Sequence, residues 1–481
     1  MQSVWRASSA LCGVLCWGAG CCSGPADGVM ESVPERERAE TSRANTEHGV
    51  SPRMCRTGSA GLDGVCQGAA VPVGDGERAQ PGCQRAPFSR MFPGSGATLR
   101  GFAVDRAGNA LLAGAFEGGL AFGAARLESA GDADAFVAKV DACGVPLWSR
   151  RFGDGAAQGA LDVAAAGGHT LVLGDFSGTL DLGGRRLTAS PAGGDLFLVK
   201  LGPDGSTRWA VQLSAEEGSI LSGTALAADG SGGVLLLGRL EGAATIDGAR
   251  IERRAIGAFV ARLDASGRLR WASLPPSGSD SEEIGVEADE RGNVLLAAQD
   301  ARGTATFVTK LDPSGELLWH KRFRGSPEQL EEAYDLAVAP DGSALLSGSG
   351  VFGDPALRGG PRTFVARLSP EGDVRWVKGF GEQSPRRITA ADERVVLAGD
   401  ALCGATDEST SCSAWTAELS LSGEERWTQR IGEDVRVAGL KMDPWGSPIL
   451  AGSFQGTLAL GGDPLSSAEG ALFLSRLPAS P

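Results

Sequence analysis

Phe136-Val-Ala-Lys-Val-Asp-Ala-Cys-Gly-Val-Pro-Leu-Trp148 decides the fold, because the same frame returns five more times along the chain. It recurs as Phe197 to Trp209, Phe259 to Trp271, Phe307 to Trp319, Phe364 to Trp376 and Trp415 to Trp427, with the tryptophan always twelve positions after the aromatic. The Phe-Val-Ala-Lys-Val segment alternates as a strand, Asp-x-x-Gly makes a tight turn, and the tryptophan segment is the partner strand. A second hairpin precedes each copy: Phe102-Ala-Val-Asp105 runs through Gly108-Asn109 into Leu111-Leu-Ala-Gly114, with counterparts at 286–295 and 336–348. Each unit therefore holds four strands, A to D, with tight A–B and C–D turns.

The tryptophans lie 48 to 62 residues apart, the size of a propeller blade. Period-two alternation excludes a helical solenoid, and the number of copies excludes a two-sheet sandwich. The ends complement one another. Phe88-Ser-Arg-Met-Phe92 matches the D strand Trp148-Ser-Arg-Arg-Phe152, whereas the chain leaves with a lone C strand, Leu472-Phe473-Leu-Ser-Arg-Leu477. Pairing these two would hide the open sheet edges. C strands and D strands both then count seven. The expectation is an all-β, seven-bladed β-propeller over 88–477, built of four-stranded antiparallel blades and closed by an N-terminal outer strand in the last blade.

Composition agrees. The chain has 481 residues, 42% hydrophobic, enough for a sizeable core, and its 72 glycines suit many tight turns. A net charge of −14 argues against a nucleic-acid partner, which needs clustered Lys and Arg. Residues 1–21 read as a signal peptide, with Arg6 ahead of an apolar stretch. Gly18-Ala19-Gly20-Cys21 resembles a bacterial lipoprotein cleavage site and implies lipidation of Cys21; plain secretion is the alternative. Residues 22–54, polar and nearly free of aromatics, read as a disordered tether, and 55–87 as a Cys-containing lead-in. Cys403 and Cys412 bracket a polar loop and are the expected disulfide. Cys55, Cys66, Cys83 and Cys143 allow three pairings. The three His are scattered and no C-x-x-C occurs, so a zinc site is not expected.

Asp105 through Gly108-Asn109, Gly118-Gly-Leu-Ala-Phe-Gly123, Phe136-Val-Ala-Lys139 and Trp148 to Gly153 resemble the bacterial β-propeller repeats of the SBBP type. The resemblance spans about four fifths of the chain. It implies a fold and export, and no reaction. The fourth to sixth units depart from it, lacking the Gly-rich hairpin seen at 118–123, 178–183 and 456–461. The C–D frame, as in Lys310 to Trp319, is also similar to the tryptophan-docking repeat of quinoprotein propellers, although the adjacent-cysteine pair of some of those enzymes has no match within the repeats.

Trp148, Arg150 and Phe152 share one face by period two, a pattern that recurs in other units and so reads as packing between blades. The basic position of the C strands (Lys139, Lys200, Arg262, Lys310, Arg367, Arg476) is expected to serve structure, with Asp141, Asp264 and Asp312 near enough to pair with it. No catalytic motif is present. The D–A connections are acidic, and Glu216, Glu217, Asp280, Glu282, Glu283, Glu328, Glu331 and Glu332 are the candidate rim for a cationic partner or a divalent cation. No other cofactor is expected. The functional expectation is a non-catalytic, monomeric, exported module that binds a protein or glycan at the cell envelope, touching the membrane only through a lipid anchor. A propeller enzyme, either a quinoprotein or a polysaccharide hydrolase or lyase, is the alternative.

Overall fold

The computed structural model describes residues 71–72, 86–94, 96–190, 194–276, 281–300, 302–325, 331–352, 363–381, 383–401, 413–460 and 462–478. All fall within one compact unit, Gly64–Pro481. The signal peptide with Cys21, the tether, Cys55, Cys66, Cys83, Cys403, Cys412, Asp280 and Glu328 lie outside the described residues.

The described chain is all-β, and its strands pair with their sequence neighbours as antiparallel meanders. Four sheets are four-stranded, one is five-stranded and one is eight-stranded. The eight-stranded sheet is two four-strand units joined where the long B strand Val234–Ile246 reaches back to pair Ile246 with Leu213. The fifth strand of the first sheet is Val71–Pro72, which lies along the outer D strand Pro146–Phe152. The strand Phe88–Pro93 completes a sheet begun by Val435–Met442, pairing Phe88 with Arg476 and Phe92 with Leu472.

The constant twelve-residue spacing is a hairpin register. Lys139 sits opposite Trp148, Lys200 opposite Trp209, Arg262 opposite Trp271, Lys310 opposite Trp319, Arg367 opposite Trp376 and Glu418 opposite Trp427. A bulge follows each of these pairs, and the tight turn comes next. Five of the six indoles then land on the C–D turn of the following unit. Trp148 donates its Nε1–H to the Pro203 carbonyl at 2.8 Å, Trp209 to Ala265 at 2.9 Å, Trp271 to Pro313 at 3.0 Å, Trp319 to Pro370 at 2.9 Å and Trp376 to Leu421 at 2.9 Å. The ring covers the turn glycine. At Gly205, where φ is +75°, a Cβ would stand 2.9 Å from the Trp148 ring, so both conformation and contact require glycine.

Phe88 takes the tryptophan's place in the completing strand. A Cβ on Gly144 would stand 2.8 Å from its ring, and Arg90 donates to the Gly144 carbonyl at 3.2 Å. Trp427 makes no such contact with a C–D turn among the described residues, and its indole bonds Glu418 of its own unit at 3.2 Å.

The basic C-strand residues pair differently from expectation. Lys139 meets Asp105 at 2.9 Å, Arg262 meets Asp229 at 3.0 Å, Lys310 meets Asp289 at 3.0 Å and Arg476 meets Asp443 at 2.9 Å. Arg367 pairs with Asp341, and in one unit the charges are exchanged, Arg394 facing Glu418. The partner is thus the A–B turn, because the B and C strands are hydrogen-bonded neighbours. Asp141, Asp264 and Asp312 instead cap their own C–D turns: the Asp141 carboxylate accepts the N–H groups of Cys143 and Val145, each at 2.8 Å. The A–B turn of the Lys200 unit is Gly167-Gly168, which offers no carboxylate, and Lys200 bonds the Gly232 and Ala265 carbonyls of the next unit.

Both partners of the Lys310–Asp289 pair are at most 5% exposed. Burial alone would raise the Asp289 pKa, but bonds from Asn293 and Lys310 hold it below its ordinary value. Lys310→Met strands that carboxylate in a dry turn and should destabilise the fold by about 3–5 kcal/mol. Adding Asp289→Asn should return part of the loss. Chemical denaturation of the single and double variants checks both steps.

Candidate binding site

The A strands pack on one another in sequence: Gly96–Val104 on Gln158–Ala166, then Ile220–Ala228, Ser281–Ala288, Glu332–Val338, Gln383–Ala391 and Val435–Met442, which also packs on Gly96–Val104. Each carries a register shift at an equivalent place, between Leu99 and Gly101, opposite Leu173/Gly174, and between Gly223/Ala225, Glu283/Gly285, Ala333/Asp335, Ser384/Arg387 and Val437/Gly439. A bulge re-aims side chains and is common beside functional sites. Here the bulges lead into positions held by Gly101, Asp162, Ala225, Gly285, Asp335, Arg387 and Gly439, so charge enters an otherwise small-residue level.

These strands line a cavity of about 670 Å³. Asp162 Oδ2 accepts the Leu226 N–H of the next A strand at 2.7 Å, and Asp335 Oδ2 accepts that of Ile388 at 2.9 Å. Arg387 donates Nε–H to the Ala438 carbonyl at 2.7 Å. These three side chains fasten adjacent strands. Lys441 does something else: its ammonium meets Glu287 Oε1 at 2.8 Å although 154 positions separate them, so the pair spans the cavity. Glu287, then Asp335 and Asp162, hold the Lys441 pKa well above its ordinary value despite burial. Burial pushes the Asp162 carboxyl up to about 7, offset only in part by the Leu226 and Val163 N–H groups and by Lys441.

A second cavity, of about 1000 Å³, shares Tyr334 and Arg387 with the first. Its other lining residues come from the starts of A strands, the ends of B strands and the C strand Leu465–Arg476, so it belongs to the end of the units where the D–A and B–C connections lie. The Arg386 guanidinium lies over the Tyr334 ring at 4.1 Å, with its Nε 3.5 Å from Asp400 Oδ2. Arg436, Asp434 and Glu469 are exposed on the wall.

The acidic rim residues are dispersed. Glu216 is engaged by Arg250 at 2.6 Å, Glu217 is exposed, and Glu282 accepts from Gln299 at 3.0 Å. Glu283 is half-buried, and burial raises it to about 7. Glu331 is 0% exposed and accepts the Val351 and Phe352 N–H groups at 2.7 and 3.0 Å, with burial again raising it to about 7. Glu332 is exposed beside Ser349. Among the described residues, no group of His, Cys, Asp and Glu is arranged to hold a metal ion. Sequence reasoning passed over Tyr334, Arg386, Arg387, Arg436 and Lys441. Their signal was a charge inside an apolar A strand, as in Leu440-Lys-Met442, in some units and not others, together with the chain's single tyrosine.

No protein-family profile and no curated protein matches the sequence. Solved structures are similar at low identity. A protein of unknown function from Bacteroides caccae is 12% identical, with 61% of this chain and 89% of that one covered and a TM-score of 0.35. YCF48 bound to D1 peptide is 12% identical, with 85% and 97% covered and a TM-score of 0.42. Puromycin hydrolase is 13% identical, with 75% and 58% covered and a TM-score of 0.35.

Asp162 binds its proton more tightly when folded, about 7 against an ordinary 3.8. It therefore favours folding at low pH and weighs against it as pH rises through that window. Asp162→Asn keeps a carbonyl acceptor and removes the charge, so its stability relative to the parent should climb between about pH 4 and pH 8. Urea midpoints across that range measure it; a difference flat with pH would mean that Lys441 fully compensates the carboxylate.

Proposed function

We propose that the chain is an exported, seven-bladed β-propeller that acts as a non-catalytic binding module at the cell envelope, through the end bearing its D–A and B–C loops. The seven-blade reading is supported by the cyclic order of A-strand contacts and by the pairing of Phe88–Pro93 with Leu465–Arg476, which joins an early strand to the last sheet. One observation carries the binding reading. The cavity of about 1000 Å³ at that end is walled by guanidinium, phenol and carboxylate groups from neighbouring blades, a concave set of convergent polar groups on a rigid strand frame. The partner is a protein segment or a glycan of the envelope. Cys21 is the lipidation site in this reading, the tether 22–54 holds the monomeric propeller off the membrane, and the membrane is touched through the lipid alone.

Glycan and peptide arrays probed with the full chain and with Arg436→Glu test the binding role. The parent should retain at least one ligand that the variant loses by about tenfold or more, with the melting curve unchanged. Equal retention by both proteins would overturn the pocket's role. Labelled palmitate fed to expressing bacteria tests the anchor: label should enter the protein and disappear in Cys21→Ala, and an unlabelled parent would leave plain secretion.

A further inference from the structure

We infer that the ligand of the large cavity is an acidic sugar, a glycan whose units carry a carboxylate on a hydroxylated ring; this rests on the binding role just proposed. The cavity mixes donors and acceptors in a specific way. Arg436 is exposed on the wall, and its side chain has no hydrogen-bond or ion-pair partner among the described residues. Arg386 lies over the Tyr334 ring at 4.1 Å, and its one carboxylate contact is made through Nε to Asp400. A guanidinium has five N–H donors, so the terminal nitrogens of Arg386 are left to bond a ligand. Both arginines sit on or beside A-strand bulges, and Arg387 between the two blades is pinned to the Ala438 and Arg386 carbonyls at 2.7 and 2.9 Å. The donors are therefore set on a fixed frame, which suits the planar fork of a carboxylate.

The same wall carries acceptors. Asp434 and Glu469 are exposed and make no ion pair among the described residues, and Asp400 has one carboxylate oxygen on Arg386. Carboxylates accept hydrogen bonds from hydroxyl groups and repel other carboxylates. An oligosaccharide of uronic acids satisfies both halves: its carboxylates face Arg386 and Arg436, and its ring hydroxyls face Asp434 and Glu469. A neutral glycan would leave Arg436 desolvated without a counter-charge, and Arg386 with only its Nε contact to Asp400. A run of acidic side chains would bring like charge against Asp434 and Glu469 with few hydroxyls to offset it. A volume of about 1000 Å³ fits a short stretch of sugar rings and is wide for a single small anion. The chain's net charge of −14 disfavours polyanions at a distance, so recognition would depend on contacts inside the cavity, where salt screens less.

Titration calorimetry with three tri-uronates (galacturonate, glucuronate and mannuronate) tests the inference, beside their carboxyl-reduced neutral counterparts and a hexaglutamate peptide. At least one tri-uronate should bind, carboxyl reduction should weaken it by about tenfold or more, and Arg436→Glu should do the same. Asp434→Asn, which keeps an acceptor, should bind nearly as the parent does. If a neutral sugar or the peptide binds better and Arg436→Glu abolishes that binding, the cavity is the binding site and the acidic-sugar assignment is wrong. If no probe binds and Arg436→Glu changes no array signal either, the binding role falls with it.

Discussion

Five successive junctions of this structure are held by a tryptophan that lies on the next unit's C–D turn and donates one hydrogen bond to it. The contact joins three requirements. The turn must contain a glycine in the left-handed region, because at Gly205 any Cβ would meet the Trp148 ring. The indole must face the neighbouring unit, which the bulge before each C–D turn arranges. The turn carbonyl, at Pro203, Ala265, Pro313, Pro370 or Leu421, must point back at the ring. Burial of the indole supplies most of the energy, and the hydrogen bond fixes its orientation at a net gain of about 1 kcal/mol. The exception supports the logic: Trp427 faces the junction where the following D strand comes from Phe88–Pro93, and it turns to Glu418 instead.

Much of this was legible because repetition and register are written in the same residues. The aromatic-to-tryptophan interval is the hairpin itself, Asp-x-x-Gly is its turn, and the unmatched ends at Phe88 and Leu472 are hydrogen-bonded partners. Charge pairing was harder. Asp141 is nearer to Lys139 in sequence than Asp105 is, yet Asp105 takes the lysine, because sheet neighbours outrank chain neighbours once the B and C strands pair. The rim was harder still. Glu331 reads as a surface loop acid, but backbone N–H groups of 351–352 draw it inside, a contact between segments twenty positions apart.

The cavity was the least legible feature, for a related reason. Asp162, Asp335 and Arg387 occupy the A-strand position that other units fill with Gly101, Ala225, Gly285 and Gly439, and the position before it varies from unit to unit, so aligning the repeats averages these groups away. Asp162 and Asp335 also stitch strands together, which shows that charge at this level can be structural and that charge alone does not mark a site. What separates Arg386 and Arg436 is that their side chains keep donors the protein itself leaves unused, on a wall that includes the chain's one phenol ring.

The bridge from Lys441 to Glu287 changes how such an array comes apart. In a string of repeats that touch only their neighbours, terminal units fray first and loss proceeds piece by piece. A bond between the A strand at 281–288 and that at 435–442 short-circuits this order. Peeling away the last sheet then pulls at once on one near the middle of the sequence. Partly opened forms lose contacts in two places at once and become scarce, so the folded chain meets a protease more nearly as a single object than as a string of separable repeats.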